Sequence, residues 1–338
     1  MTTGWLAERL GAPPGSLVSF TPRRIGTGQM CDSYRLALDW EGHDGPEAIV
    51  AKCPSTDQSS RQIAKTVHCY WLEVNWYREL AGEIPVTCPP CFHAEIADNE
   101  TDFALLLGDM APAEQGDQLA GAEIAEIEAA IGEAAKLHAR LWNSDRLNAI
   151  PWLNRTGDNS PLVRMLLPQL YRGFRERYRD RLAPEILAMG DQFIAGLDGY
   201  LDAEPFARTL CHGDFRIDNL LFGPGGGVTV VDWQTLQIGT GLSDIAYLIG
   251  TSIADPDRRK SEEGRLVDLY CELLESRGRA IDREGAWLAY RRAAFAGFVM
   301  AIFASMNVQR TTRGDEMFAV MAERPARQIL DLDSLALL

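Results

Sequence analysis

The chain has 338 residues, and 33 Lys+Arg against 48 Asp+Glu leave a formal charge of −15 with neutral histidines. Its 46% hydrophobic and 24% charged residues are globular composition, enough for one large core or two lobes. The acidity argues against nucleic acid, whose backbone needs clustered Lys and Arg, and favours a small-molecule or protein partner.

The N-terminus, Met1 to Arg9, lacks the basic start and apolar core of a secretory signal, so cytoplasmic residence is the expectation. An extended segment near Val18 to Ile25 leads to Gly26-Thr27-Gly28, and the alternating Cys31–Leu38 run suits the second strand of a hairpin. After a turn-rich stretch, Ala48 to Lys52 reads as a short strand ending in a lysine. Ile63, Val67, Tyr70, Trp71, Val74, Tyr77 and Leu80 recur at steps of three and four, which predicts one amphipathic helix over about 62–82.

Pro85 and Pro89-Pro90 end helical readings, and β-like segments follow at Phe92 to Ile96 and Phe103 to Leu107. Seven thinly spread cysteines imply no disulfide framework. Cys88-Pro-Pro-Cys91 has the spacing of a redox or zinc pair, but with His93 it reaches three ligands at most and reads as structural. Helices are expected near 120–143, 161–187, 257–275, 283–305 and 311–330. The longest strongly apolar run, Ala293 to Ala304, is shorter than the roughly 20 residues that span a bilayer and reads as a buried helix, so no membrane insertion is expected.

One β-rich island interrupts the helical part. Cys211-His-Gly-Asp-Phe-Arg-Ile-Asp-Asn219 is followed by a Gly-rich turn at 223–227 and then Val228-Thr-Val-Val-Asp-Trp-Gln234, a hairpin pattern bearing polar groups. Phosphoryl transfer needs a group to orient the acceptor hydroxyl, metal ions on the phosphate oxygens, and positive charge on the donor. Asp214, Asn219 five residues on, and Asp232 after the turn stand in the order of a kinase catalytic loop and metal segment.

With His212-Gly-Asp214, Asn219 and Val231-Asp232-Trp233 in that order, the sequence resembles the aminoglycoside phosphotransferase and choline kinase-like family. The resemblance implies an α+β, protein-kinase-like two-lobed fold, with a β-rich N-terminal nucleotide-binding lobe over 1–107 and a mostly helical catalytic and substrate lobe over 108–338. It implies ATP and magnesium as cofactors and a small-molecule alcohol as acceptor. Asp214 would orient or deprotonate that hydroxyl, with His212 beside it in the loop, and Asn219 and Asp232 would bind the metal, as hard magnesium prefers oxygen ligands.

Arg216 stands where many protein kinases carry a lysine near the transferred phosphate, though it could pair with Asp218 instead. The resemblance further implies that Gly26, Thr27 and Gly28 approach the donor phosphates through backbone amides, that Lys52 holds those phosphates, and that Glu73 pairs with Lys52, with Glu79 the other acid on that helix. Leu105 and Leu107 would line the adenine slot, and Asp244 would brace the catalytic loop or else cap a helix. His138 and Trp142 read as packing residues.

Only eleven residues separate Asp232 from Asp244, and no Ala-Pro-Glu landmark follows, so there is no conventional protein-substrate platform. The dinucleotide fingerprint, GxxxxGK[ST], His-Glu-x-x-His and Gly-x-Ser-x-Gly are absent. The other class of reading is a noncatalytic nucleotide-binding or scaffold protein with a kinase-like fold.

Overall fold

The computed structural model describes residues 1–26, 30–154, 160–308 and 310–338. In chain order its elements are α1 (Thr3–Arg9), β1 (Leu17–Ile25), β2 (Cys31–Trp40), β3 (Ala48–Pro54), α2 (Gln58–Thr66), α3 (Cys69–Asn75), β4 (Cys91–Ile96), β5 (Phe103–Gly108), β6 (Glu114–Gln115) and α4 (Ile124–Arg140). Then come α5 (Ser160–Tyr178), α6 (Pro184–Ala195), α7 (Leu197–Leu201), β7 (Thr209–Cys211), β8 (Leu220–Phe222), β9 (Val228–Val230), β10 (Gln237–Gly239), α8 (Gly241–Ser252), α9 (Pro256–Glu275), α10 (Arg283–Ala293), α11 (Phe295–Asn307) and α12 (Thr312–Asp331). A β-sheet lobe is thus followed by a largely helical one. Two compact units result: Met1–Ala113 with Thr229–Thr235, and Glu114–Val228 with Leu236–Leu338.

The first unit is built on an antiparallel sheet of order β1-β2-β3-β5-β4. Residues alternate between faces along a strand, so Leu36 of β2 and Ile49 and Ala51 of β3 turn inward and pack with Leu6 and Ala7 of α1. Lys52 lies opposite Leu105 in the β3–β5 register. The helix expected over 62–82 breaks into α2, α3 and a π-helical turn, Trp76–Leu80. The three-four spacing runs unbroken through the break, but His68 adopts the left-handed conformation, φ 58°, and its ring meets Glu100 at 3.2 Å. Tyr70 of α3 packs on Phe103 of β5 at 4.3 Å between ring centroids, which seats the helix on the sheet.

In the second unit α8 is buried on nearly every side: Leu242, Ile245, Ala246, Leu248 and Ile249 form an apolar face, and Asp244 and Thr251 on the other are buried with their hydrogen-bond partners. It packs against α4, α9, α10, α11 and α12. The helix expected over 161–187 ends at Tyr178, and a new one begins at Pro184, whose ring keeps Ala183 extended and suits a first helical turn. The helix expected over 283–305 divides at Ala294 into α10 and α11. Together Arg283–Asn307 is apolar and long enough, by length and composition alone, to cross a membrane, and half of its most apolar window is buried inside the protein. Tyr290, Phe295, Phe298 and Ile302 supply that buried side.

Candidate active site

In the first unit Lys52, two residues before the end of β3, donates from Nζ to Glu73 Oε1 at 2.6 Å and to Asp232 Oδ1 at 3.0 Å. Glu73 is fully buried, whereas Glu79 is exposed, so the helix places the first of the two acids on the lysine. Gln234 donates to the other Glu73 oxygen, Oε2, at 3.2 Å and to Cys31 Sγ at the same distance. Burial opposes the Lys52 ammonium, but the Asp232 and Glu73 carboxylates outweigh it and hold its pKa well above the ordinary lysine value. Burial pushes the Glu73 pKa up, against the Lys52 charge and with the Asp232 charge.

The segment carrying Asp232 is fixed to this unit by Val230 N–H bonding Thr87 O at 2.8 Å and by Trp233 stacking on Trp76 at 3.9 Å between centroids, 16° from parallel. Asp232 itself is left-handed, φ 67°, a conformation that costs a non-glycine residue energy and turns its carboxylate to an accessible position, 40% exposed. Gly26 also has positive φ, +70°, at the end of β1. Thr27 and Gly28 lie outside the described residues. Leu105 and Leu107 are buried residues of β5 beside β3.

The second unit holds the other group of residues. Phe215 and Ile217 are buried anchors that alternate with Asp214, Arg216 and Asp218, so the three charged side chains emerge together from the loop after β7. Asn219 closes a 3₁₀ turn and donates from Nδ2 to Asp214 Oδ2 at 2.8 Å and to Asp214 O at 2.9 Å, which turns its amide oxygen away from the carboxylate. Arg216 Nε meets Asp214 Oδ1 at 3.2 Å and its other arm pairs with Asp218. Burial disfavours this guanidinium, yet Asp214, Tyr247 and Asp218 raise its pKa above the ordinary value.

His212 is buried; its backbone N–H donates to Asp244 Oδ2 at 2.7 Å and its Nδ1 accepts from Asp214 N–H at 3.3 Å. Asp244 also accepts from Gly213 N–H at 3.0 Å and meets His138 Nε2 at 3.1 Å, while His138 Nδ1 meets Tyr270 at 2.8 Å. Burial works against the Asp244 charge, but His138, His212 and the Gly213 N–H together hold its pKa below the ordinary carboxylate value. His138, Cys211 and Asp244 bring potential ligand atoms within 4.8 Å of one another. Both His138 nitrogens are engaged, by Tyr270 and Asp244, so His138 and Asp244 form a hydrogen-bonded brace.

His138, Tyr247, Tyr270 and Gln234 are the residues that sequence reasoning passed over or took for packing. Gly241 offers one trace of this, because a Cβ there would collide with Tyr270 and with His138 Nδ1. No disulfide links any of the seven cysteines.

Residues 35–285, well over half of the chain, match the family model described as "Phosphotransferase enzyme family". A choline kinase from Cryptosporidium parvum superposes with a TM-score of 0.59 at 12% identity, over 94% of this chain and 91% of that one. A Plasmodium vivax ethanolamine kinase superposes with a TM-score of 0.57 at 10% identity, over 91% and 82%. These likenesses show a shared fold. The Caenorhabditis elegans protein described as "Uncharacterized oxidoreductase dhs-27" is 22% identical over 82% of the chain, which spans 38% of that relative's length.

Proposed function

Because this chain belongs to the phosphotransferase enzyme family, we propose that it is a small-molecule kinase that transfers the γ-phosphoryl group of ATP, with magnesium, to an alcohol. The observation that carries the reading is Lys52, a buried lysine held between Glu73 and Asp232. A lysine so pinned presents a fixed positive charge for donor phosphates, the positioning and charge stabilisation that phosphoryl transfer depends on.

The candidate metal ligands are oxygen donors of the kind magnesium prefers: Asp232 offers an accessible carboxylate, and Asn219 offers an amide oxygen facing away from Asp214. A bound ion would neutralise phosphate charge. Asp214 accepts the acceptor hydroxyl's hydrogen bond and orients it, drawing off its proton as the alcohol oxygen bonds the γ-phosphorus and the bond from that phosphorus to ADP breaks. Arg216, now paired with Asp214 and Asp218, reaches a phosphate oxygen by exchanging one carboxylate for another anion. His212 and Asp244 act through the loop backbone and position Asp214. Leu105 and Leu107 contribute apolar surface to the adenine side, and Gly26 contributes its backbone amide to phosphate.

The test is a panel of alcohols and amino alcohols, beginning with choline and ethanolamine because solved enzymes of this fold act on them. Each is incubated with the protein, ATP and magnesium and read by mass. A gain of one phosphoryl group, lost in Asp214→Asn and Asp232→Ala, supports the proposal. Nucleotide binding without transfer to any member of the panel favours a noncatalytic module.

A further inference from the structure

We propose that Tyr247 is a positioning residue for Asp214, its hydroxyl setting the carboxylate for phosphoryl transfer; this rests on the phosphotransferase reading above. Tyr247 Oη donates to Asp214 Oδ1 at 2.9 Å across 33 residues of sequence. Oδ1 also takes Arg216 Nε at 3.2 Å, and Oδ2 takes Asn219 Nδ2 at 2.8 Å. The carboxylate is therefore gripped at both oxygens, which fixes its plane.

Tyr247 and Asp244 are three apart on α8 and so share a face. One helix face thus holds the loop twice: Asp244 takes the backbone N–H groups of His212 and Gly213, and Tyr247 takes the side chain of Asp214. The three donors to Asp214 differ in what they do when substrates arrive. Arg216 is drawn to phosphate, and Asn219 is a candidate metal ligand. Tyr247 has neither alternative and remains as the constant anchor.

The ring is seated to aim that hydroxyl. Tyr247 is buried, and a Cβ on Gly297 of α11 would lie 3.1 Å from its Cδ2 and 2.7 Å from Pro325 Cγ, so the glycine makes room for the ring. Burial, reinforced by the Asp214 charge, raises the phenol pKa well above its ordinary value, so the hydroxyl stays a donor. A phenylalanine would fill the same space; the oxygen is the feature packing does not require.

The full chain is assayed with magnesium and ATP alone, water serving as acceptor. The γ-phosphorus gains a bond to the water oxygen and loses its bond to ADP, and the water proton passes to solvent. Tyr247→Phe is expected to lower kcat about ten-fold with KM for MgATP changed by less than about two-fold, a split that general loosening of the fold does not produce. Its crystal structure is expected to show the Asp214 carboxylate displaced by more than about 0.5 Å, the tolerance of a preorganised site.

A kcat within about two-fold of the parent protein, while Asp214→Asn loses about a hundred-fold, overturns the role of Tyr247 and leaves the phosphotransferase reading standing. Parental hydrolysis by Asp214→Asn overturns the assignment of Asp214, and the role of Tyr247 with it. If the parent protein shows no hydrolysis, the crystal structure decides, and an undisplaced carboxylate in Tyr247→Phe overturns the proposal.

Discussion

Gln234 takes the Glu73 carboxylate oxygen that Lys52 leaves, at 3.2 Å, and thereby completes the hydrogen bonding of a fully buried acid. Gln234→Leu keeps the volume and removes the donor. The expected cost is about 1–3 kcal/mol of stability, the penalty of an unsatisfied buried group. Urea unfolding measures it, and an unchanged midpoint would count against the arrangement.

Lys52→Met leaves Glu73 buried without its counter-charge, which costs about 3–5 kcal/mol. Adding Glu73→Leu replaces the ion pair with apolar side chains and is expected to recover most of that loss, since buried pairs contribute little net stability. Titration calorimetry should find MgATP binding weak in the single and double variants alike. A double variant that regains both stability and nucleotide affinity refutes the assignment of Lys52 to phosphate.

Asp244 makes stability depend on acid pH. Its folded-state pKa lies below the unfolded value near 3.8, so its contribution is complete above that value and disappears as pH falls through the lower, folded one. At pH 7 Asp244→Asn is expected to unfold about 2 kcal/mol more easily, through lost charge-assisted hydrogen bonds. The gap between variant and parent should narrow in unfolding curves taken at successively lower pH below 3.8. A gap that persists unchanged means the carboxylate charge is not what holds the loop.

Gly297→Ala tests the seat of Tyr247. The added methyl meets Pro325 Cγ at 2.7 Å and Tyr247 Cδ2 at 3.1 Å, and overpacking of this kind costs about 1–3 kcal/mol. Thermal unfolding reads the loss. A neutral substitution would show that α11 and α12 yield more readily than their packing implies.

The strands of the first sheet, most helices and the order Asp214, Asn219, Asp232 were legible because alternation, three-four spacing and short motifs are local properties of a chain. What escaped depends on distant partners. Tyr247 looks like one more apolar residue in Ile245-Ala-Tyr-Leu until Asp214 is placed against its oxygen. His138 reads as packing because its ring is fully buried, yet both nitrogens are used, by Asp244 and Tyr270. The break at His68 is silent in the pattern, since the residues on each side continue one apolar stripe. α8 escaped as a helix as well: its polar residues Asp244 and Thr251 are as buried as its apolar ones, and their partners lie far away in the chain or on the helix backbone.

The return of Thr229–Thr235 to the N-terminal unit has a consequence for biosynthesis. A ribosome that has made Ala113 has supplied Glu73 and Trp76 but neither Gln234 nor Trp233, so the acid waits for its amide and the indole for its stacking partner until more than a hundred further residues have been added. A fragment ending at Ala113 would be left in that unfinished condition. The two units therefore cannot be inherited or exchanged as separate cassettes by a single cut, and a designer who wants the first alone must splice the later segment back onto it.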